Sequence, residues 1–354
     1  MTRSMVKPED LYSDNGYLAA AHILGSCPTF TWITGGRGTG KTYGFLKSVR
    51  YDDPHPFILL RRTQTQVDLM SNPRFSPFRA IDADTGRLTA VKKISKYVTG
   101  FYDGELDGAD IKPAGAPVGF AMALSTVHNI RGFSAEVDFI IFDEFIPEPH
   151  ERWISDEFTA WQNAYETINR NRELQGRAPV KMVGLSNANQ LANPYYIGLQ
   201  VVRQVDQMVR KGITVWEDPD RELMLINLVR SPISEAKGKT ALYRLSSGSS
   251  YADMAIGNNY AGESRSRTGT VSLRELTPLV RIGELNLYRR KGGRELYGTT
   301  HASGSPQSYQ TTEADIARFR ARYGWTWELY LDDRIIWQDY LPEILYRKFM
   351  GETY

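Results

Sequence analysis

Three observations predict an α/β fold built on a mostly parallel sheet. Short apolar runs recur at Phe30–Ile33, Pro56–Leu60, Gly119–Leu124, Phe139–Phe142 and Val180–Leu185. Helical patterns separate them, as expected of strands covered on both faces. The first run leads into Gly35-Gly-Arg-Gly-Thr-Gly-Lys-Thr42, which fits G-x-x-x-x-G-K-[ST], and a helix-like stretch, Tyr43–Val49, follows. The run Phe139–Phe142 ends in Asp143-Glu144, as where a buried strand stops at a phosphate site.

Loop and carboxylates together point to nucleoside triphosphate hydrolysis, with ATP and Mg²⁺ as cofactors. Gly35, Gly36, Gly38 and Gly40 bring the backbone close to phosphate oxygens, which the N–H groups from Arg37 and Thr39 to the helix start can then cradle. Lys41 is placed to reach the β- and γ-phosphates. The Thr42 hydroxyl and the Asp143 carboxylate hold the metal from two sides. Glu144 follows directly and polarises the attacking water. Arg37 either touches the nucleotide or is simply exposed.

The 354 residues suggest two domains, or one large domain with an appendage. A hydrophobic content of 41% is enough for a core, and a net charge of +2 gives no global attraction to nucleic acid, so any such partner needs a local basic patch. One cysteine, Cys27, rules out an internal disulfide and a cysteine-based zinc site and fits a reducing compartment. No apolar signal region or stretch of about 18 apolar residues is present. The expectation is a soluble intracellular protein that does not engage membranes.

Residues 1–28 read as a helical lead-in whose aromatic residues pack in the core or against an adenine. Residues 93–125 read as a hairpin and then a buried strand, and residues 151–174 as a helix. Residues 193–230 are expected to be helical and 231–268 a long polar loop. Strands are expected at Leu279–Ile282, Glu284–Tyr288 and Glu295–Gly298 around a Lys291-Gly-Gly293 turn. Helices are expected over 312–323, capped by Thr312, and 340–350, with Asp332-Asp333 in a turn. The resulting division is an ATPase domain (1–195), a helical linker (196–235) and a C-terminal domain (236–354) that binds nucleic acid or a portal.

The order of phosphate loop, Asp-Glu strand and a strand ending Ser186-Asn187 resembles the RecA-like additional-strand, catalytic-glutamate ATPases. More narrowly, the chain resembles the DNA-packaging ATPases of small protein-primed podophages of the phi29 type. The resemblance rests on Ile33–Thr42, Leu60-Arg-Arg62, Phe142–Ile146, Asn169-Arg-Asn-Arg-Glu173 and Leu185–Ala188; the stretch from Ser250 to Gly262 also looks familial, and the match is loose beyond residue 270. It implies a ring of copies, a pentamer, at the portal vertex of an empty capsid in the host cytoplasm. That ring would drive double-stranded DNA inward and be absent from the mature virion. A scaffold RNA is a further partner it suggests.

By position, the resemblance implies that Arg170 reaches the neighbouring subunit's nucleotide, with Arg172 as second choice. Arg131 is read as a second basic residue for that site or as a turn arginine. Ser186 or Asn187 either senses the γ-phosphate or caps the strand. Contacts to DNA phosphates are expected from Arg61 and Arg62, although the following loop carries Gln64 and Gln66 where the family places a lysine. Further candidates are Arg289, Arg290 and Lys291 in the hairpin, and Lys237, Lys239, Arg265 and Arg267 in the long loop. Large terminases carry an RNase H-like nuclease at this end. Here Glu284 and Asp332-Asp333 do not make the carboxylate cluster that two-metal cleavage needs, so a vestigial, uncutting domain is expected. The alternatives are a terminase with an active nuclease and a helicase- or recombination-type ATPase.

Overall fold

The computed structural model describes residues 6–351, except 109, 131, 149, 189, 229–230, 250–251, 253–254, 256–266, 303 and 305–306. The chain divides into two compact units, residues 1–190 with 208–261, and residues 191–207 with 262–354.

The first unit is built on a nine-stranded sheet in the order β3-β4-β5-β2-β6-β7-β1-β9-β8. Its strands are β1 (Phe30–Gly35), β2 (Phe57–Arg61), β3 (Thr89–Lys93), β4 (Thr99–Asp107), β5 (Asp110–Ala123), β6 (Phe139–Asp143), β7 (Lys181–Ser186), β8 (Val215–Asp218) and β9 (Leu223–Leu228). From β5 to β9 every neighbouring pair is parallel; β3, β4 and β8 add antiparallel edges. Helices α1 (Ala20–Ser26), α2 (Lys41–Lys47), α3 (Gln64–Met70), α4 (Arg79–Thr85) and α5 (Glu157–Asn169) accompany it. The central strands are buried along nearly their whole length, which is why they read as unbroken apolar runs.

One core contains Ile33, Phe45, Leu59, Phe101, Ile141 and Val183. A second set packs aromatic rings edge-on: Trp32 lies 4.7 Å from Phe145 and 5.3 Å from Trp161, centroid to centroid. Gly184 on β7 makes room for Trp32, since a Cβ there would stand 2.5 Å from the indole.

The stretch expected to be helical from 193 to 230 is only partly so. Helices cover Pro194–Gly198 and Val202–Lys211, but β8 and β9 form the far edge of the large sheet. The run Leu223–Leu228 is fully buried against β1, and tertiary pairing outweighs the helical look of its flanks. The expected loop after residue 230 likewise contains the short helices Pro232–Gly238 and Ala241–Leu245. Of the familial-looking stretch 250–262, only Ala252 and Ala255 are described.

The second unit carries a five-stranded sheet in the order β13-β10-β11-β12-β14, with β10 (Leu276–Ile282), β11 (Leu285–Arg290), β12 (Leu296–Thr299), β13 (Ser308–Tyr309) and β14 (Ile335–Trp337). β10, β11 and β12 form an antiparallel meander, and β13 and β14 join its edges in parallel. Helices Glu313–Tyr323 and Tyr340–Met350 supply Phe319, Tyr346 and Phe349 to its core. Thr312 caps the first by accepting from the Asp315 N–H. Arg203 donates to Asp339 at 2.8 Å, tying residues 191–207 into this unit. Among the described residues, no helix is long and apolar enough to cross a membrane, and no three His, Cys, Asp or Glu converge as metal ligands.

Candidate phosphate site

The site forms where β1, β6 and β7 end together. β7 lies between β1 and β6, so the loop after β1 and the carboxylates after β6 face each other across roughly 10 Å of sheet, two strand spacings. The loop turns into α2 through Gly38 (φ +71°) and Gly40 (φ +84°), conformations that suit glycine. Thr39 is buried beneath it. Lys41 opens α2 and is itself buried, its ammonium donating to the carbonyls of Gly35 (3.0 Å) and Gly36 (2.8 Å). Thr42 Oγ1 donates to Asp143 Oδ1 at 2.8 Å. Lys41 and Thr42 at the start of α2 thus meet the carboxylate that ends β6, Thr42 and Asp143 being 101 positions apart.

Burial pushes the Lys41 ammonium down to about 7; Asp143 opposes this, and the positive charges of Lys237 and Arg37 reinforce it. Partial desolvation and the neighbouring Asp143, Glu151 and Glu148 raise the Glu144 carboxyl, against the pull of Arg61. Glu144 also has a left-handed backbone (φ +59°), which redirects its side chain at the end of β6 at some conformational cost.

Asn187 Oδ1 lies 3.3 Å from the Lys41 ammonium. Ser186 instead holds the chain after Glu144: its hydroxyl donates to Ile146 O (3.1 Å) and accepts from Ile146 N–H (3.2 Å). Arg37 donates through its guanidinium to Glu148 and through its backbone N–H to Ala255 O. These groups line a cavity of about 540 Å³ that Lys237 and Tyr243 also border. An adjoining cavity of about 820 Å³ lies against Gly40 and is lined by Asn15, Tyr17, His22 and Tyr43.

Two expected DNA-facing residues sit elsewhere. Arg61 bridges the carboxylates, with Nη2 2.8 Å from Asp143 and Nη1 2.7 Å from Glu144. Arg62 is only 1% exposed, and its guanidinium is held by Glu157 at 2.7 and 2.8 Å, so it lies in the core, out of reach of a DNA phosphate. Successive residues of a strand point to opposite faces, so adjacent arginines at the end of β2 part company. In the second unit, Arg289 lies over the Trp325 ring, Arg290 pairs with Glu295 and Glu275, and Lys291 donates to Arg274 O.

Arg170 caps the far end of α5. This helix runs from the exit of β6 back toward the start of β7, which carries Arg170 away from its own chain's phosphate loop. Its guanidinium donates to Phe133 O, and its backbone is strained (φ +49°). Arg172 is tied within its own chain to Val137 O, Glu136 and Asp138. Arg131 lies outside the described residues. Neither Arg61 nor Lys237 carries a motif that marks it for the site; strand alternation after β2 was the available signal for Arg61.

A glycine loop between a parallel strand and a helix, facing the carboxylate of a strand one place removed, is the architecture of the P-loop NTPase class. Within that class, the chain belongs to the podovirus DNA encapsidation protein (Gp16) family, whose profile it matches over residues 13–272. It is 28% identical to the DNA packaging protein of Bacillus phage phi29 over 242 residues, and 26% identical to that of Bacillus phage B103 over 243. These alignments cover 66% of this chain but only 63% and 64% of the relatives' own lengths. The Phi-28 gp11 DNA packaging motor has the same fold, with a TM-score of 0.60, 17% identity, and coverage of 96% of this chain and all of that one.

Proposed function

We propose that this protein hydrolyses ATP to drive double-stranded DNA into a preformed capsid, as one of a ring of copies at the portal in the host cytoplasm. The observation that carries the reading is the 2.8 Å contact between Thr42 and Asp143 beside a buried lysine. A buried lysine with Lys237 and Arg37 beside it suits a polyphosphate, and a hydroxyl with a carboxylate suits a hard divalent ion. Family membership and the phage packaging relatives support the DNA cargo.

The loop N–H groups and Lys41 hold and orient the phosphates. Thr42 and Asp143 are the residues that would hold Mg²⁺, which would offset charge on the terminal phosphoryl when bound. Glu144 takes a proton from the attacking water, and Arg61 governs where that carboxylate rests. Tyr17 and Tyr43 supply stacking faces for the base, and Asn187 contacts the phosphate end. Arg170 serves the next copy around the ring, because its own site is at the other end of α5. Arg289 and its neighbours Arg290 and Lys291 offer charge to DNA, portal or a scaffold RNA.

Glu144→Gln should bind ATP like wild type and lose about 10²–10⁴ in turnover; wild-type hydrolysis would remove the mechanism. Mixing Arg170→Ala with Lys41→Ala subunits in assembled motors should restore part of the turnover. No recovery at any ratio would refute the shared site.

A further inference from the structure

We propose that Lys237, carried by the helix Pro232–Gly238, is a second phosphate-binding lysine that contacts the terminal phosphate of a bound nucleoside triphosphate. This rests on the nucleotide reading of the site. The Lys237 ammonium donates to the Arg37 carbonyl inside the glycine loop. It stands so close to the loop that a Cβ on Gly38 would lie 2.7 Å from it. It also lies over the Tyr243 ring, 5.3 Å from the centroid, so the next helix backs it.

Its placement is built from the far side as well. Ser231 begins the helix, its hydroxyl donating to Gly16 O and accepting from the Ile233 N–H. Pro232 packs where a side chain on Gly16 would fall. The turn that presents Tyr17 to the base cavity therefore also anchors the helix that presents Lys237.

The order of groups along the loop says which phosphate Lys237 meets. The two cavities share Gly38, Gly40 and Tyr43, but Tyr17 borders only the larger one, whereas Lys237 borders the smaller one with Asp143, Glu144 and Asn187. That is the end of the phosphate chain remote from the base. A phosphate oxygen, being charged, is a stronger partner for an ammonium than a neutral carbonyl such as that of Arg37. Moving from Arg37 O to the terminal phosphate, Lys237 would draw residues 232–245 onto a triphosphate and release them once that phosphate departs.

The test compares fluorescent ATP and ADP binding by the full-length protein. Lys237→Ala should weaken the triphosphate about ten- to a hundredfold, the worth of a charge-assisted hydrogen bond, and leave the diphosphate within about twofold. Lys237→Arg should restore much of the loss. Unchanged triphosphate binding, or equal losses for both nucleotides, would overturn the proposal. Lys41→Ala separates the two levels: if it binds triphosphate normally, the phosphate site itself is elsewhere and both readings fall.

Discussion

Glu157→Gln should destabilise the first unit far more than a one-atom change suggests. Glu157 and Arg62 form an ion pair whose side chains are 0% and 1% exposed. The guanidinium also donates to Arg152 O (2.9 Å), and Glu157 accepts from Ile154 N–H (2.8 Å), so the pair closes a local network. Removing one charge of a buried pair leaves the other uncompensated and costs about 3–5 kcal/mol. Glu151 remains 3.9 Å from Arg62 and is partly exposed, so the lower end, about 3 kcal/mol, is expected. For a unit of this size that corresponds to a melting-temperature drop of roughly 6–12 °C. Calorimetry and urea unfolding measure it, with Arg62→Met/Glu157→Leu as the companion, expected to recover most of the loss because an apolar pair avoids the desolvation cost. A loss below about 1 kcal/mol in Glu157→Gln would match a solvated surface pair and refute the argument.

Three further outcomes follow from the site and its support. Arg61→Ala removes the cation that holds the Glu144 carboxyl down, so that group titrates higher and the acidic limb of the pH–turnover curve should shift to higher pH; an unmoved limb would mean Arg61 does not act on Glu144. Lys41 in the free protein is half-charged near pH 7, so phosphate-chain affinity is full below that value and should fall by up to about tenfold per pH unit above it, read by titration from pH 6 to 9. Affinity flat across that range would contradict it. Gly184→Ala forces a methyl against Trp32 and should cost about 1–3 kcal/mol, with a change in tryptophan emission; wild-type stability would show that the ring can retreat.

The parallel strands and the phosphate loop were legible because each is a local signal: an apolar run, a glycine pattern, a terminal carboxylate. The placement of β7 between β1 and β6 matched the additional-strand resemblance, although no single strand announces its neighbours. What misled was charge. Arg62 looked like a surface residue because its partner, Glu157, is 95 positions away and on a helix. The charged flanks of Leu223–Leu228 disguised a fully buried strand, although the unbroken apolar run was there to be seen. Lys237 resembled one more solvated cation in a polar stretch, since only the return of the chain to the loop brings it to Arg37.

Helix α5 has 13 residues, about 20 Å of stiff rod. At one end Glu157 is clamped to Arg62, the immediate neighbour of the arginine that grips the two carboxylates; at the other sits Arg170. A shift at the end of β2 as Arg61 lets go would be carried along that rod rather than dissipated in a loop. If Arg170 serves the next copy, the same strut makes each subunit's chemical state mechanically audible to its neighbour, and the order of firing around a ring would need no separate messenger.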